Sequence, residues 1–366
     1  VLLKRLKFDD AKLADAVAGV RSLIELDDPC SQTLSAKELD DGLTLRQITC
    51  PIGVLGVVFE SRPDALVQIA SLAIKSGNAV LLKGGSEAAE TNRALAKVIY
   101  DAGVDAGLPE GWLGLLETRE DVAAMLVMDE CIDLIIPRGS NAFVKYIMDN
   151  TRIAVLGHAD GICHVYVHAQ ADLAMALDVA IDSKCQYPAV CNAMETLLVD
   201  ASASGEFLPM FAAACVERGV ELRGCASTRA IIECAEATEA DWATEYNELI
   251  LSVRVVADMP AAIAHINTYG SGHTDAIVSA DEVAARTFMA RVGSADVFWN
   301  CSTRFADGFR YGLGAEVGIS TNKIHARGPV GLEGLVIYKW HLVGAGHIVA
   351  DYAEGRRAFT HEPIEE

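Results

Sequence analysis

The sequence predicts an α/β protein built on mainly parallel sheets. Three observations carry this: from about residue 51 short apolar runs alternate with helical patterns, Gly, Pro and Ser mark the turns between them, and the 366 residues are 51% hydrophobic, enough for two or three domains.

The elements follow in order. Gly56-Val57-Val58-Phe59 reads as a strand. Arg62-Pro63-Asp64 opens a helix to about Lys75, with Ser61 as N-cap and Pro63 in the first turn, and Ser76-Gly77-Asn78 ends it. Ala79-Val80-Leu81-Leu82 is the next strand, and Gly84-Gly85-Ser86-Glu87 leads into a helix through Tyr100. A strand over 112–116, a helix over 119–128 and a strand over 133–136 continue the repetition. Pro137-Arg138-Gly139-Ser140 then opens a helix from Asn141 to about Met148. Such β-α-β alternation predicts parallel strands with helices on both faces. A second unit begins after Gly161, with a helix over 171–184, a loop over 186–190, Cys191, and a strand over 196–199. Strands over 249–256, 275–278 and 296–299 alternate with helices near 260–268 and 281–292. Past Gly312 the chain is Gly-rich and loop-like, and Leu335-Val336-Ile337-Tyr338 reads as an edge strand used in assembly.

The formal net charge of −21 argues against nucleic acid and anionic membranes as partners. No apolar run approaches the roughly 18 residues of a spanning helix. An anionic substrate would need local cations, and residues 301–340 supply Arg304, Arg310, Lys323, Arg327 and Lys339 against Asp307, Glu316 and Glu333. The same residues read equally well as ordinary surface charges. Ten cysteines without a repeating spacing predict a reducing compartment and mostly buried thiols.

Two turns suit phosphate. Lys83-Gly84-Gly85-Ser86 and Arg138-Gly139-Ser140 each join a strand to a helix N-terminus, where backbone N–H groups and the helix dipole favour anions. Each also reads as a plain tight turn, but two at the carboxyl ends of strands in one sheet match where a dinucleotide lies. Cys191 stands apart from the other cysteines: it lies in a loop after Pro188 and before Asn192, outside any apolar periodic run. Two readings stay open, a thiolate nucleophile with N–H donors beside it for an oxyanion, or a structural thiol. His158, Cys163, His164 and His168 cluster in sequence, but neighbouring strand residues point to opposite faces, so no metal site is expected.

Longer blocks identify a relationship. They include Pro51-Ile52-Gly53-Val54, Phe59-Glu60-Ser61-Arg62-Pro63-Asp64 and Asp133-Leu134-Ile135-Ile136-Pro137-Arg138-Gly139-Ser140. They continue through Gly157-His158-Ala159-Asp160-Gly161, Tyr187-Pro188-Ala189-Val190-Cys191-Asn192 and Ser302-Thr303-Arg304-Phe305, and end in His325-Ala326-Arg327-Gly328-Pro329. On these blocks the chain resembles the aldehyde dehydrogenase superfamily, and within it the branch that reduces gamma-glutamyl phosphate, including the reductase half of bifunctional kinase–reductase chains.

The resemblance implies an aldehyde dehydrogenase-like fold. Its Rossmann-type NADPH-binding domain would span 1–37 and 51–160, its α/β catalytic domain 161–334, and its oligomerisation strands and tail 38–50 and 335–366. It implies NADPH-dependent reduction of L-glutamyl 5-phosphate to glutamate 5-semialdehyde plus phosphate through a thioester on Cys191, for proline biosynthesis. The alternative is NAD-dependent oxidation of another small aldehyde. Asn192 and its surroundings would steady the oxyanion. Ser61, Lys83, Gly84, Ser86, Arg138, Gly139, Ser140 and Glu248 would bind cofactor, with Glu248 on the nicotinamide ribose. Ser86 beside Lys83 takes the place of a Glu that would repel a 2′-phosphate, which favours NADPH, although Glu87 tempers this. His158 takes the place of the Glu that activates water in the oxidative enzymes. His158, Ser302, Thr303 and Arg304 would hold substrate. A homo-oligomer is implied, with a glutamate 5-kinase, fused or separate, as partner. The expected location is the cytoplasm; an organelle stays open because any targeting peptide would precede Val1.

Overall fold

The computed structural model describes residues 8–60 and 63–365. Ser61, expected to cap a helix and touch cofactor, lies outside the described residues.

The first half forms a five-stranded parallel sheet in the order Leu113–Leu115, Ala79–Lys83, Val54–Phe59, Leu134–Arg138, Ala154–Val155. Parallel pairing needs crossovers, and Pro63–Lys75, Ala89–Asp105, Arg119–Met125 and Asn141–Asp149 supply them. The register decides where chemistry can occur. Val58 pairs with Lys83 on one side and Pro137 on the other, and Phe59 pairs with Arg138, so three strands end at one edge. The helix expected to follow Gly84-Gly85-Ser86-Glu87 starts at Ala89, after a 3₁₀ turn over Ser86–Ala88. The strand expected to stop at Ile136 continues to Arg138. Pro137 is tolerated because its outer neighbour Ala154–Val155 pairs only with Leu134 and Ile135, so no ladder bond is demanded there.

The second sheet has seven parallel strands in the order Ala235–Glu236, Glu221–Gly224, Ile250–Val256, Met194–Asp200, Cys163–Val167, Thr274–Val278, Asp296–Trp299. Every residue of Cys163–Val167, Met194–Asp200 and Thr274–Val278 is buried, as expected of strands covered on both faces. The segment 313–335, which reads as loop, returns to the first sheet. Its Val317, Val330, Leu332 and Leu335 join that sheet's core, and Gly318–Ser320 pairs with Gly328–Val330.

A third sheet stands apart, antiparallel, in the order Val336–Val343, Leu43–Pro51, Thr33–Asp40, Glu362–Pro363. Its edge strand exposes Tyr338, Trp340 and Leu342 by 52%, 55% and 58%. Among the described residues no helix is long and apolar enough to cross a membrane.

Candidate active site

A cavity of about 520 Å³ opens where the carboxyl edge of the first sheet meets the second. Phe59, Glu60 and Arg138 to Asn141 line it from the first sheet; Cys191, Asn192 and Arg304 line it from the second; His158, Gly318 and Ile319 form a wall between them.

Cys191 is held from several directions. Helix Leu173–Cys185 ends, and a turn closes with the Ala193 N–H donating to the Val190 carbonyl at 3.0 Å. The Cys163 thiol donates to the Cys191 carbonyl at 3.2 Å. Gly161 lies so close that a Cβ there would stand 2.4 Å from the Cys191 Cα, so only glycine allows this approach. The Cys191 Sγ lies 3.2 Å from His273 Nε2. Burial pushes the Cys191 thiol up to about 12, with Glu245 and Glu316 adding to it, while its own amide N–H and Arg304 pull the other way.

His273 is fully buried at the entry to strand Thr274–Val278, with Nδ1 2.7 Å from Thr274 Oγ1. Burial, and His158 beside it, hold its pKa well below the usual imidazole value, so it is a neutral base. His158 packs edge-on against it at 5.1 Å between ring centroids, and its Nδ1 lies 3.1 Å from the Ile319 carbonyl. A carbonyl only accepts, so His158 carries its proton on Nδ1 and is neutral too, its pKa lowered by burial.

The expected substrate residues divide. Arg304 is 8% exposed, reaches the cavity, and is braced by Gln186 Oε1 on its Nε at 3.0 Å. Ser302 and Thr303 are buried and outside the lining. Ser302 Oγ instead accepts from the Arg304 N–H, and Ser183 Oγ accepts from the Thr303 N–H, so both build the turn that presents Arg304. Asn192 faces the cavity, but its amide donates to the Ala306 carbonyl at 2.8 Å. That bond uses one of the two Nδ2 hydrogens, so the second and the backbone N–H groups of this turn are the available oxyanion donors.

The expected cofactor residues divide as well. Arg138, Gly139 and Ser140 line the cavity, and the Ser140 N–H, at the start of helix Asn141–Asp149, donates to Glu60 Oε2 at 3.2 Å. A cofactor phosphate would use the same seat and displace that carboxylate. Lys83, Gly84 and Ser86 sit at the same sheet edge outside the cavity lining. Lys83 Nζ donates to the Gly84 carbonyl at 2.6 Å, and Gly84 is small because Asn92 Nδ2 would stand 2.1 Å from a Cβ there. Glu248, expected on the nicotinamide ribose, is exposed and outside the cavity lining. Beside it Asn247 adopts a left-handed turn at φ 56°, and the carboxylate nearer the site is Glu245. Glu245 accepts from Asn141 Nδ2 at 2.8 Å and acts electrostatically on both Cys191 and His158.

The model of the aldehyde dehydrogenase family matches residues 11–226, more than half of the chain. The chain belongs to the aldehyde dehydrogenase family. Within that family it is 64% identical to the gamma-glutamyl phosphate reductase of Pelotomaculum thermopropionicum over 99% of this chain and 84% of that one. It is 61% identical to that of Acetivibrio thermocellus over the same shares. A crystal structure of the Thermotoga maritima gamma-glutamyl phosphate reductase, 39% identical, covers 95% of this chain with 84% of its own and a TM-score of 0.92.

Within this aldehyde dehydrogenase frame, His273, Glu60 and Glu245 are the site residues that sequence reasoning missed. His273 is far from Cys191 in sequence and precedes an ordinary buried strand, so no local pattern marks it. The Cys/His cluster in sequence does not converge: His164 Nδ1 binds Asp275 at 2.7 Å and His168 Nδ1 binds Ser279 at 2.8 Å.

Proposed function

We propose that the chain is a glutamate-5-semialdehyde dehydrogenase working in the reductive direction: it reduces L-glutamyl 5-phosphate to glutamate 5-semialdehyde with release of phosphate, using NADPH, in proline biosynthesis. The observation that carries the reading is the convergence of Cys191 and the Arg138–Ser140 turn on one cavity, in a chain whose relatives at 64% and 61% identity are gamma-glutamyl phosphate reductases.

His273 Nε2 is positioned to take the Cys191 proton as sulfur attacks the acyl carbonyl, and phosphate leaves. Backbone N–H groups of the Cys191 turn receive the developing oxyanion, and Arg304 holds an anionic group of the substrate. The bound cofactor, when present, supplies hydride to the thioester. Arg138 to Ser140, which line the cavity with Cys191, would hold its phosphates, and Glu245, hydrogen-bonded to Asn141 of the following helix and acting electrostatically on Cys191, would hold its nicotinamide ribose. The resulting hemithioacetal returns its sulfur as thiol and releases the aldehyde. Lys83 beside exposed Ser86 supports preference for a 2′-phosphate. The exposed edge strand Val336–Val343 supports assembly into a homo-oligomer.

The alternative, NAD-dependent oxidation of another aldehyde, needs a base to activate water against the thioester. His158 takes the place of the carboxylate that does this in the oxidative enzymes, and burial lowers its pKa, which makes it a weaker base toward water. Steady-state reduction of NADP by the semialdehyde tests the proposal. Absolute dependence on added phosphate is expected; equal turnover without phosphate, or preference for simple aldehydes with NAD, would contradict it.

A further inference from the structure

We propose that Cys191, His158 and His273 together bind a thiophilic divalent cation of the zinc class, and that its binding reversibly shuts off the site. The three side chains come from separate stretches of chain, yet one donor atom from each lies within 4.8 Å of the others. Tetrahedral zinc, with bonds of about 2.0–2.3 Å to nitrogen and sulfur, puts its ligands about 3.3–3.6 Å apart. The pair His273 Nε2 and Cys191 Sγ is already at 3.2 Å.

The second ring nitrogens carry independent support. Histidines that bind metals are usually steadied through the nitrogen that does not bind. Here His158 Nδ1 is tied to the Ile319 carbonyl at 3.1 Å, which leaves Nε2 with a free lone pair, and His273 Nδ1 is tied to Thr274 Oγ1 at 2.7 Å, which leaves Nε2 facing the sulfur. Both imidazoles are therefore oriented before any ion arrives. Three protein ligands with a fourth position open to the cavity leave room for water or a substrate carboxylate. Glu245 and Glu316 put negative potential at the sulfur, and the chain carries −21 overall, so a dication is drawn to the place where an anionic substrate must be held by Arg304. Binding exchanges the thiol proton for the cation, with release of one proton to solvent and no change of oxidation state. Shut-off rests on the reading of Cys191 as nucleophile; cation binding does not.

The test is a titration of the full-length, cofactor-free chain with cobalt(II) chloride, followed by zinc(II) chloride. One cobalt per chain is expected, with a thiolate-to-cobalt charge-transfer band in the near ultraviolet that zinc removes. Cys191→Ser should lose the band, and His158→Gln and His273→Gln should each weaken binding at least about tenfold, with unfolding temperatures measured alongside. Zinc should also block alkylation of Cys191 and compete with the acyl phosphate, and a chelator should restore activity. Absence of the band in the unmodified chain overturns the proposal, whatever the variants do. So does a band that persists in Cys191→Ser, or cobalt affinity unchanged in both folded histidine variants. Binding that depends on all three residues while the saturated enzyme still turns over upholds the cation site and overturns the role of Cys191 as nucleophile.

Discussion

Burial keeps Cys191 protonated at rest, and on the proposed mechanism the neutral His273 beside it takes the thiol proton. With the thiol pushed up to about 12, the free enzyme holds little thiolate near neutrality, and the fraction grows as pH rises toward that value. Alkylation of Cys191 by iodoacetamide should therefore accelerate steadily between about pH 7 and pH 10 with no plateau. A plateau below pH 8 would show a thiolate already formed. Replacing His273 by Asn should lower kcat about 100-fold and leave cofactor binding in place, as measured by fluorescence titration. Loop context singled out Cys191 with two readings open and the family resemblance implied its role, but neither pointed to His273, because their contact is made only when the turn before Thr274–Val278 folds against the Cys191 loop.

The elements explain which expectations held. The βα alternation of the first sheet was legible because each strand is a short apolar run bounded by turn residues. Helix Ala201–Glu217 was not. Its apolar residues surround it, with Phe207, Leu208 and Phe211 buried and Met210 and Val216 exposed, and Pro209 sits inside it, so neither period nor propensity marks a helix. Strand Glu221–Gly224, which follows that helix, was missed with it. The 3₁₀ turn Glu239–Ala243 sets the approach of Glu245 and depends on Asp241. Burial raises the Asp241 pKa, but hydrogen bonds from Thr238, Arg223 and Tyr246 outweigh it and hold the carboxyl well below the usual carboxylate range. A depressed pKa in the folded state means that its stabilisation is complete above the unfolded value, about 3.9, and is lost as pH falls below it. Asp241→Asn should cost about 1–3 kcal/mol at pH 7 by urea unfolding, and the difference from the parent should shrink below about pH 4. A difference constant with pH would show that charge plays no part.

At the scale of the molecule, the site lies where two sheets meet. Asn141 links them, donating both to Asp160 at 2.6 Å and to Glu245 at 2.8 Å, so helix Asn141–Asp149 on the cavity is tied to two loops of the second sheet. The third sheet takes no part in that cleft. Its open edge, with exposed Tyr338, Trp340 and Leu342, should join copies of the chain, and Leu342→Lys should shift sedimentation toward the monomer. An unchanged sedimentation coefficient would place the interface elsewhere. The central claim is that Cys191 carries the acyl group across this cleft, and intact-mass analysis tests it most directly. With semialdehyde and NADP but no phosphate, the thiol adds to the aldehyde, hydride leaves for the cofactor, and a thioester should remain. The account predicts one glutamyl group per chain, mapped to Cys191, absent in Cys191→Ser and discharged by phosphate. An adduct on another residue, or repeated turnover with Cys191 unmodified, would contradict it.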